Sequence, residues 1–313
     1  MGVFWENVVR GLAQKWSDRL LSPAFAFWLA GAFLYGQHLG WQKVVEHLDA
    51  LPTPLQVLVL VVGLLIVTGS AAVVEAFQES ALHLMEGYWP SWLRPLWRRC
   101  VARQEHQRDR IKQRLNALAE RWGHLSPEEM QTYARLDVRL RAYPRRYPLL
   151  PTRLGNLLRA AEEHPDERYG LVTGVVWPHL WLILPDPARE DIAEARERLN
   201  AAVRQCIWGV LFLIWLPWAV SGSYTPLPPA PGLAWLSVAA TNVLRGGWPL
   251  LVGIGLVWWG YRRALRAAQV YGDLLRAAFD LYRDDLYEAM KWPKGEDEQK
   301  SGQALTQFLW RGA

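Results

Sequence analysis

The chain has 313 residues, of which 51% are hydrophobic, with 19 tryptophans and a formal net charge of +5. Long apolar runs alternate with arginine-dense stretches, which argues against a purely soluble protein and predicts a membrane part and a cytosolic part. A basic excess beside membrane spans indicates orientation and contact with anionic lipid before nucleic-acid binding, so no nucleic-acid partner is expected. Cys100 and Cys206 both fall on the predicted cytosolic side, so no disulfide framework is expected.

Residues 1–20 are predicted to form an N-terminal amphipathic helix. Apolar side chains recur every four residues, with polar ones between them: Phe4, Val8, Leu12, Trp16 and Leu20. Such a helix can lie in the membrane interface, or it can pack within the cytosolic part.

Residues 21–77 are predicted to contain transmembrane helices 1 and 2. The first runs from about residue 23 to residue 39 and the second from 55 to 77. The stretch from Val57 to Val74 has no charge and no proline, and as a helix it would be about 27 Å long. This length matches the hydrocarbon core of a bilayer, which is why we expect an integral membrane protein.

The distribution of basic residues predicts the orientation. Arg10, Lys15 and Arg19 precede the first span, and Lys43 alone lies between the first two spans. Six arginines follow the second span before residue 111. Because cytoplasmic segments carry the excess of Lys and Arg, the protein is expected in the plasma (inner) membrane with both termini cytosolic.

Residues 78–202 are predicted to form a helical cytosolic domain inserted between spans two and three. The run 171–184 is apolar but short and contains Pro178, so it is interpreted as the buried centre of this domain rather than a span. The overall prediction is therefore an all-α polytopic membrane protein with four transmembrane helices.

Residues 203–262 are predicted to hold transmembrane helices 3 and 4, with a break at Gly246 and Gly247 before the fourth. Residues 263–291 form a cytosolic C-terminal helix, and 292–313 form a linker and tail. The C-terminal helix carries a heptad-like seam, which predicts homo-oligomerisation or packing within the chain. The seam candidates are Ala268, Tyr271, Leu275, Ala278 and Tyr282.

One face of the second span predicts a pore lining. Its small or polar residues continue into carboxylates that would attract cations, and a leucine above them would form the constriction. The candidates are Leu65, Thr68, Ala72, Glu75, Glu79 and Glu86. The alternative is that the carboxylates simply form a solvated face paired with nearby arginines.

The chain matches none of the common nucleotide-binding, metalloprotease, hydrolase or redox motifs, so we predict neither an enzyme nor a cofactor. The layout is similar to that of several oligomeric channel families, bestrophins among them, although the chain carries no bestrophin motif. A homo-oligomeric membrane pore is the first hypothesis. A membrane-anchored scaffold that recruits cytosolic protein partners is the second, and a membrane enzyme or transporter is the third.

Overall fold

The computed structural model describes residues 23–222 and 247–311, and the described chain is helical with no strand in these ranges. The predicted amphipathic helix at residues 1–20 lies outside the described residues. So does Gly246 of the predicted break before the fourth span. The chain divides into two compact units, one made of residues 1–78 and 203–261 and the other of residues 79–202 and 262–313.

In its described residues, the first unit contains four complete helices, and two long helices also contribute to it. The complete helices are α1 (Pro23–Leu39), α2 (Trp41–Asp49), α3 (Thr53–Ala76) and, numbered in chain order, α10 (Leu216–Gly222). The long helices are α9 (Asp186–Leu211), which continues through a 3-10 turn at Phe212–Trp215, and α11 (Trp248–Ala289).

An aromatic cluster forms the centre of the first unit. Phe27 of α1 lies with its ring centroid 5.3 Å from that of Trp208, 5.6 Å from Phe212 and 5.1 Å from Trp215. The indole of Trp28 donates a hydrogen bond of 3.0 Å to Ser70 Oγ on α3. Aromatic rings bury large areas, so these contacts fix α1 against the end of α9.

Glycines let α9 and α11 approach each other closely in the first unit. A Cβ at Gly253 would lie 2.7 Å from the carbonyl oxygen of Gly209, and one at Gly209 would lie 2.9 Å from that of Gly253. Neither position has room for a side chain. Small residues at helix crossings of this kind are typical of membrane helices.

Among the described residues, two helices are long and apolar enough to cross a membrane, α3 (Thr53–Ala76) and the stretch Asp186–Ala219. The prediction of an all-helical fold is therefore confirmed for the described residues, which contain two candidate membrane-spanning helices, while the count of four spans is not confirmed. α1 has 17 residues, about 26 Å, at the lower end of the range that crosses a bilayer. The apolar start of α11 is only 14 residues long before Arg262, about 21 Å, and is short of a full crossing.

Between α1 and α3 the sequence predicts a loop, but the structure has the helix α2. Its apolar residues Trp41, Val45 and Leu48 recur at helical spacing and are all exposed. Trp41 lies over Gly36 and near Phe33, with ring centroids 6.1 Å apart. A short amphipathic helix with an exposed apolar face is typical of the membrane interface.

The second unit is built from the remaining helices and parts of α9 and α11. They are α4 (Gln78–Glu86), α5 (Arg94–Ala119), α6 (Pro127–Leu140), α7 (Arg153–Tyr169), α8 (Thr173–Ile183) and α12 (Glu298–Arg311). α5 and α6 pair as a helical hairpin. Ser126 caps α6 with a reciprocal capping box to Glu129.

The core of the second unit lies where α8 meets α11. Leu171, Val176 and Leu180 are fully buried against Leu275 and Phe279. The apolar run 171–184 thus belongs to this core. α12 docks on the end of α7, where Gly170 adopts φ +71 and accepts a hydrogen bond of 3.1 Å from Thr306 Oγ1.

Candidate functional site

The residues of the predicted pore face from Leu65 to Glu75 lie on α3. Leu65, Ala72 and Glu75 are exposed in the single chain, and Val74 is the one buried residue of this helix. Thr68 Oγ1 donates to the carbonyls of Leu64 (2.9 Å) and Leu65 (3.2 Å), so its proton is used within the helix and its oxygen remains an acceptor. The spacing of these residues places them on one side of α3.

The other two predicted residues, Glu79 and Glu86, follow a break in the helix. α3 ends at Ala76, Phe77 intervenes, and α4 begins at Gln78, which is also where the first unit ends. Glu79 is exposed, whereas Glu86 is half-buried and pairs with His83 at 3.5 Å. The structure therefore places Leu65, Thr68, Ala72 and Glu75 on one helix. Glu86 instead lies in the second unit beside His83.

Glu86 belongs to a charged cluster inside the second unit. Burial raises the pKa of Glu86, although His83, Arg196 and Arg159 oppose the shift. Glu162 on α7 is exposed, yet the surrounding protein desolvates its carboxylate and raises its pKa, and the charge of Glu86 raises it further. Because the negative charges of Glu86 and Glu162 repel each other, the pair takes up a proton more readily than an isolated carboxylate does.

The arginines of this cluster are held in place by other groups. Arg159 donates 2.6 Å to the carbonyl of Pro148 and reaches the hydroxyl of Tyr88 at 3.4 Å. The guanidinium of Arg196 lies 5.5 Å from the ring centroid of Tyr271, within cation–π range. Burial raises the pKa of the Tyr271 phenol, so this ring stays neutral at physiological pH.

Sequence reasoning predicted Glu86 and Tyr271 for other roles, and it missed Glu162, Arg159 and Arg196. The five residues come from α4, α7, α9 and α11. No local spacing joins them, because they meet only after these helices pack. A second polar network was missed for the same reason.

That second network joins α7 to α11. Asp280 Oδ1 accepts from the Tyr169 hydroxyl at 2.6 Å and lies 3.0 Å from His164 Nε2. Burial alone would raise the pKa of Asp280, but the hydrogen bonds from Tyr169 and His164 outweigh it and lower that pKa. Burial and the bond to Asp280 raise the pKa of Tyr169 to about 12.

This His–Asp–Tyr network is best explained as structural. Tyr169 is buried, and the guanidinium of Arg283 lies 4.4 Å from its ring centroid while pairing with Glu298 of α12 at 2.7 Å. The contacts hold α7, α11 and α12 together. In the described ranges, no group of three or more His, Cys, Asp or Glu side chains is arranged to hold a metal ion.

The seam candidates of the C-terminal helix lie in the core of their own chain. Ala268, Leu275 and Ala278 are buried, and Tyr271 and Tyr282 pack against the same core. Of the two arrangements that the seam predicts, the described contacts are those of packing within the chain. The buried side chains are not accessible to a second copy in this conformation.

No protein-family model, curated protein or solved structure matches this chain.

Proposed function

We propose that the protein is a homo-oligomeric integral membrane protein in which α3 of each copy lines an ion-permeable pore. In this proposal it has four spans in the inner membrane, both termini are cytosolic, and it is not an enzyme. Two of the spans are α3 and the membrane-length part of Asp186–Ala219. The others are α1 and the start of α11, whose shorter apolar lengths would be accommodated by local thinning of the bilayer.

The observation that carries the proposal is that the described part of the chain leaves α3 largely exposed. Only 6% of its most apolar 18-residue window is buried, whereas the core helix of a soluble protein is mostly buried. Lipid can cover the apolar faces of α3. It is a poor environment for Glu75, because a carboxylate near hydrocarbon costs several kcal/mol.

Association of several copies would turn the side that carries Leu65, Thr68, Ala72 and Glu75 toward water. Glu75 would then concentrate cations at the cytosolic mouth, and Leu65 would form a hydrophobic constriction that closes by dewetting. Thr68 would offer its hydroxyl oxygen between them. Glu86 is left out of this lining, since its side chain is engaged by His83 in the second unit.

Ion flux into liposomes that contain the purified full-length protein tests the pore. Leu65→Ser is expected to raise the flux, because it removes the constriction. Leu60→Ser is the matched control. Leu60 and Leu65 are 63% and 64% exposed, and five residues of helix turn the side chain by about 140°, away from the pore face. Glu75→Gln is expected to lower cation preference.

Absence of flux from the wild type and from Leu65→Ser would reject the pore. Equal flux from Leu65→Ser and Leu60→Ser would reject this lining. The second candidate function, a scaffold for cytosolic proteins, would then be favoured. It has its own supporting observation: Val172, Val175 and Trp310 line a shallow groove of about 470 Å³ on the second unit, and the Trp310 side chain is largely exposed.

A further inference from the structure

The start of α5 carries a cluster of exposed cations that have no ion-pair partner among the described residues. Arg94, Arg98, Arg99 and Arg103 are exposed, and none forms an ion pair or hydrogen bond with a residue in the described ranges. The stretch from Gly87 to Gln104 contains no Asp or Glu. Some exposed arginines elsewhere in this unit, among them Arg141 and Arg145, pair with carboxylates.

Exposed apolar side chains accompany these arginines. Trp92 is 74% exposed and Leu96 is also exposed. The neighbouring indoles are used inside the protein, since Trp89 donates to the carbonyl of Leu84 and Trp97 to that of Gly87. The indole N–H of Trp92 has no hydrogen-bond partner among the described residues, so it is available to a group outside the chain. We call Trp92, Leu96 and the four arginines the basic patch.

The basic patch covers most of the circumference of the start of α5. At about 100° per residue, its arginines and Leu96 are spread over about 200° of the helix. The remaining arc carries Val101, Gln104 and Ile111, which are at least half-buried. All four arginines and Leu96 are exposed outside that arc.

The chemistry of the patch matches an anionic membrane surface. Arginine forms strong bidentate hydrogen bonds with phosphate, tryptophan favours the headgroup level, and leucine enters the acyl boundary. Clusters of basic residues just cytoplasmic of a membrane helix are attracted to anionic lipids. The chain leaves α3 at Ala76 and enters α5 at Arg94, so the patch follows a candidate span closely in sequence.

We propose that the basic patch binds the phosphate headgroups of anionic phospholipids in the cytosolic leaflet. The proposal rests on the membrane location in the proposed function, and it does not depend on ion conduction. Trp92 and Leu96 enter the interface, and Arg94, Arg98, Arg99 and Arg103 contact lipid phosphates. This contact anchors the start of α5 at the membrane surface.

Lipid retention by the full-length protein tests the proposal. The detergent-purified, delipidated protein is incubated with equal amounts of phosphatidylglycerol and phosphatidylcholine that have identical acyl chains, and bound lipid is counted by native mass spectrometry. The wild type is expected to retain phosphatidylglycerol preferentially. Each neutralised arginine is expected to lower that preference about fivefold, from roughly 1 kcal/mol per cation near the surface. The triple variant Arg94→Gln, Arg98→Gln, Arg99→Gln is expected to lower the preference by roughly a hundredfold, which is three fivefold steps.

The same helix provides the matched control, Arg110→Gln, Lys112→Gln, Arg114→Gln. These cations are also exposed and without ion pairs in the described part of the chain, and the charge change is identical. This variant is expected to keep the wild-type preference. Equal losses in the two triples, or equal retention of both lipids by the wild type, would overturn the proposal.

A second measurement locates the patch relative to the bilayer. In a background with Cys100→Ser and Cys206→Ser, nitroxide labels are placed by Trp92→Cys or by Val138→Cys, an exposed site on α6. In nanodiscs with phosphatidylglycerol, the first label is expected to be more accessible to oxygen than to a water-soluble nickel chelate, and the second the reverse. Identical accessibility at the two sites would contradict membrane docking.

Nucleic acid is the competing polyanion. A labelled single-stranded RNA is titrated with the wild type and with the first triple variant at physiological salt. No binding is expected. Tight binding that the triple variant abolishes would reject the lipid proposal and assign the patch to nucleic acid.

Two further outcomes separate this proposal from the proposed function. Extraction of the wild type from membranes by alkaline carbonate would show that the protein is not integral to the membrane, and both proposals would fail. Lipid preference without ion flux would reject only the pore.

Discussion

At the residue scale, one buried carboxylate holds a connecting segment of the second unit in place. Glu163 is 2% exposed and accepts the backbone N–H of Arg145 at 2.7 Å and that of Arg146. It thereby holds the proline-rich connector between α6 and α7. Its neighbour Glu162 has the opposite character, because it repels Glu86 and makes no hydrogen bond of this kind to the connector.

Substitution of Glu163 by glutamine is expected to destabilise the protein by about 2–3 kcal/mol. The two N–H groups bind different oxygens of the Glu163 carboxylate, and glutamine replaces one of these oxygens by a donating NH2 group, so one buried donor is left unsatisfied. Chemical denaturation of the detergent-purified protein measures the change. The control is Glu167→Gln, which loses a surface pair with Arg145 at 3.0 Å, worth at most about 1 kcal/mol. Similar losses in both variants would contradict the role of Glu163.

The raised pKa values of Glu86 and Glu162 predict how stability depends on pH. Because the folded pKa exceeds the ordinary value of 4.5, the folded state binds more protons than the unfolded state between the two values. The contribution of the pair to stability is therefore full below pH 4.5 and is lost as the pH rises through the folded pKa.

Glu162→Gln carries no charge at any pH and is expected to raise the thermal unfolding midpoint at pH 7. It should also reduce the gain in stability on acidification from pH 7 to pH 5. The midpoint is measured across this range. Glu190→Gln, an exposed site without an ion pair in the described chain, is expected to keep the wild-type pH profile. A wild-type profile for Glu162→Gln would show that the pair does not repel.

At the scale of elements, α11 has two kinds of surface. Its seam faces the core of the second unit, where Leu275 and Phe279 meet α8, and other positions along it remain exposed. A heptad-like spacing of apolar residues predicts that such a helix has a packing stripe. The spacing is the same for a stripe that packs within the chain and for one that joins subunits.

Leu275→Asp is expected to destabilise the second unit by at least about 3–5 kcal/mol, because it removes a 2% exposed leucine from the core and buries a carboxylate there. Leu281→Asp, on the same helix at a 70% exposed position, is expected to cost less than about 0.5 kcal/mol. Protease resistance and particle mass in detergent are measured together. A smaller particle with unchanged protease resistance would instead assign Leu275 to a subunit interface.

At the scale of the whole molecule, the proposed topology places α2 outside and α5 and α6 inside. In a background without Cys100 and Cys206, a cysteine at Lys43 is expected to react with an impermeant thiol reagent added to intact cells. One at Glu128 is expected to react only after permeabilisation. Both positions are exposed, so burial does not explain the difference. Labelling of the Glu128 site in intact cells would reverse the orientation.

The sequence alone was sufficient to predict the helical fold of the described residues and the long apolar helix α3, because a continuous apolar run is a property of neighbouring residues. It was also sufficient to identify the Ser126 cap, since a capping box is local. It did not predict α2, whose apolar spacing of Trp41, Val45 and Leu48 is short and interrupted by charges.

Only the tertiary structure decided which side chains meet. Glu86 lies near Glu162 and Arg196, and His164 meets Asp280 116 residues away, because helices distant in sequence pack together. The direction of the seam on α11 was decided in the same way, by the apolar surface of α8. The sequence determines which faces must be covered, and long-range packing determines what covers them.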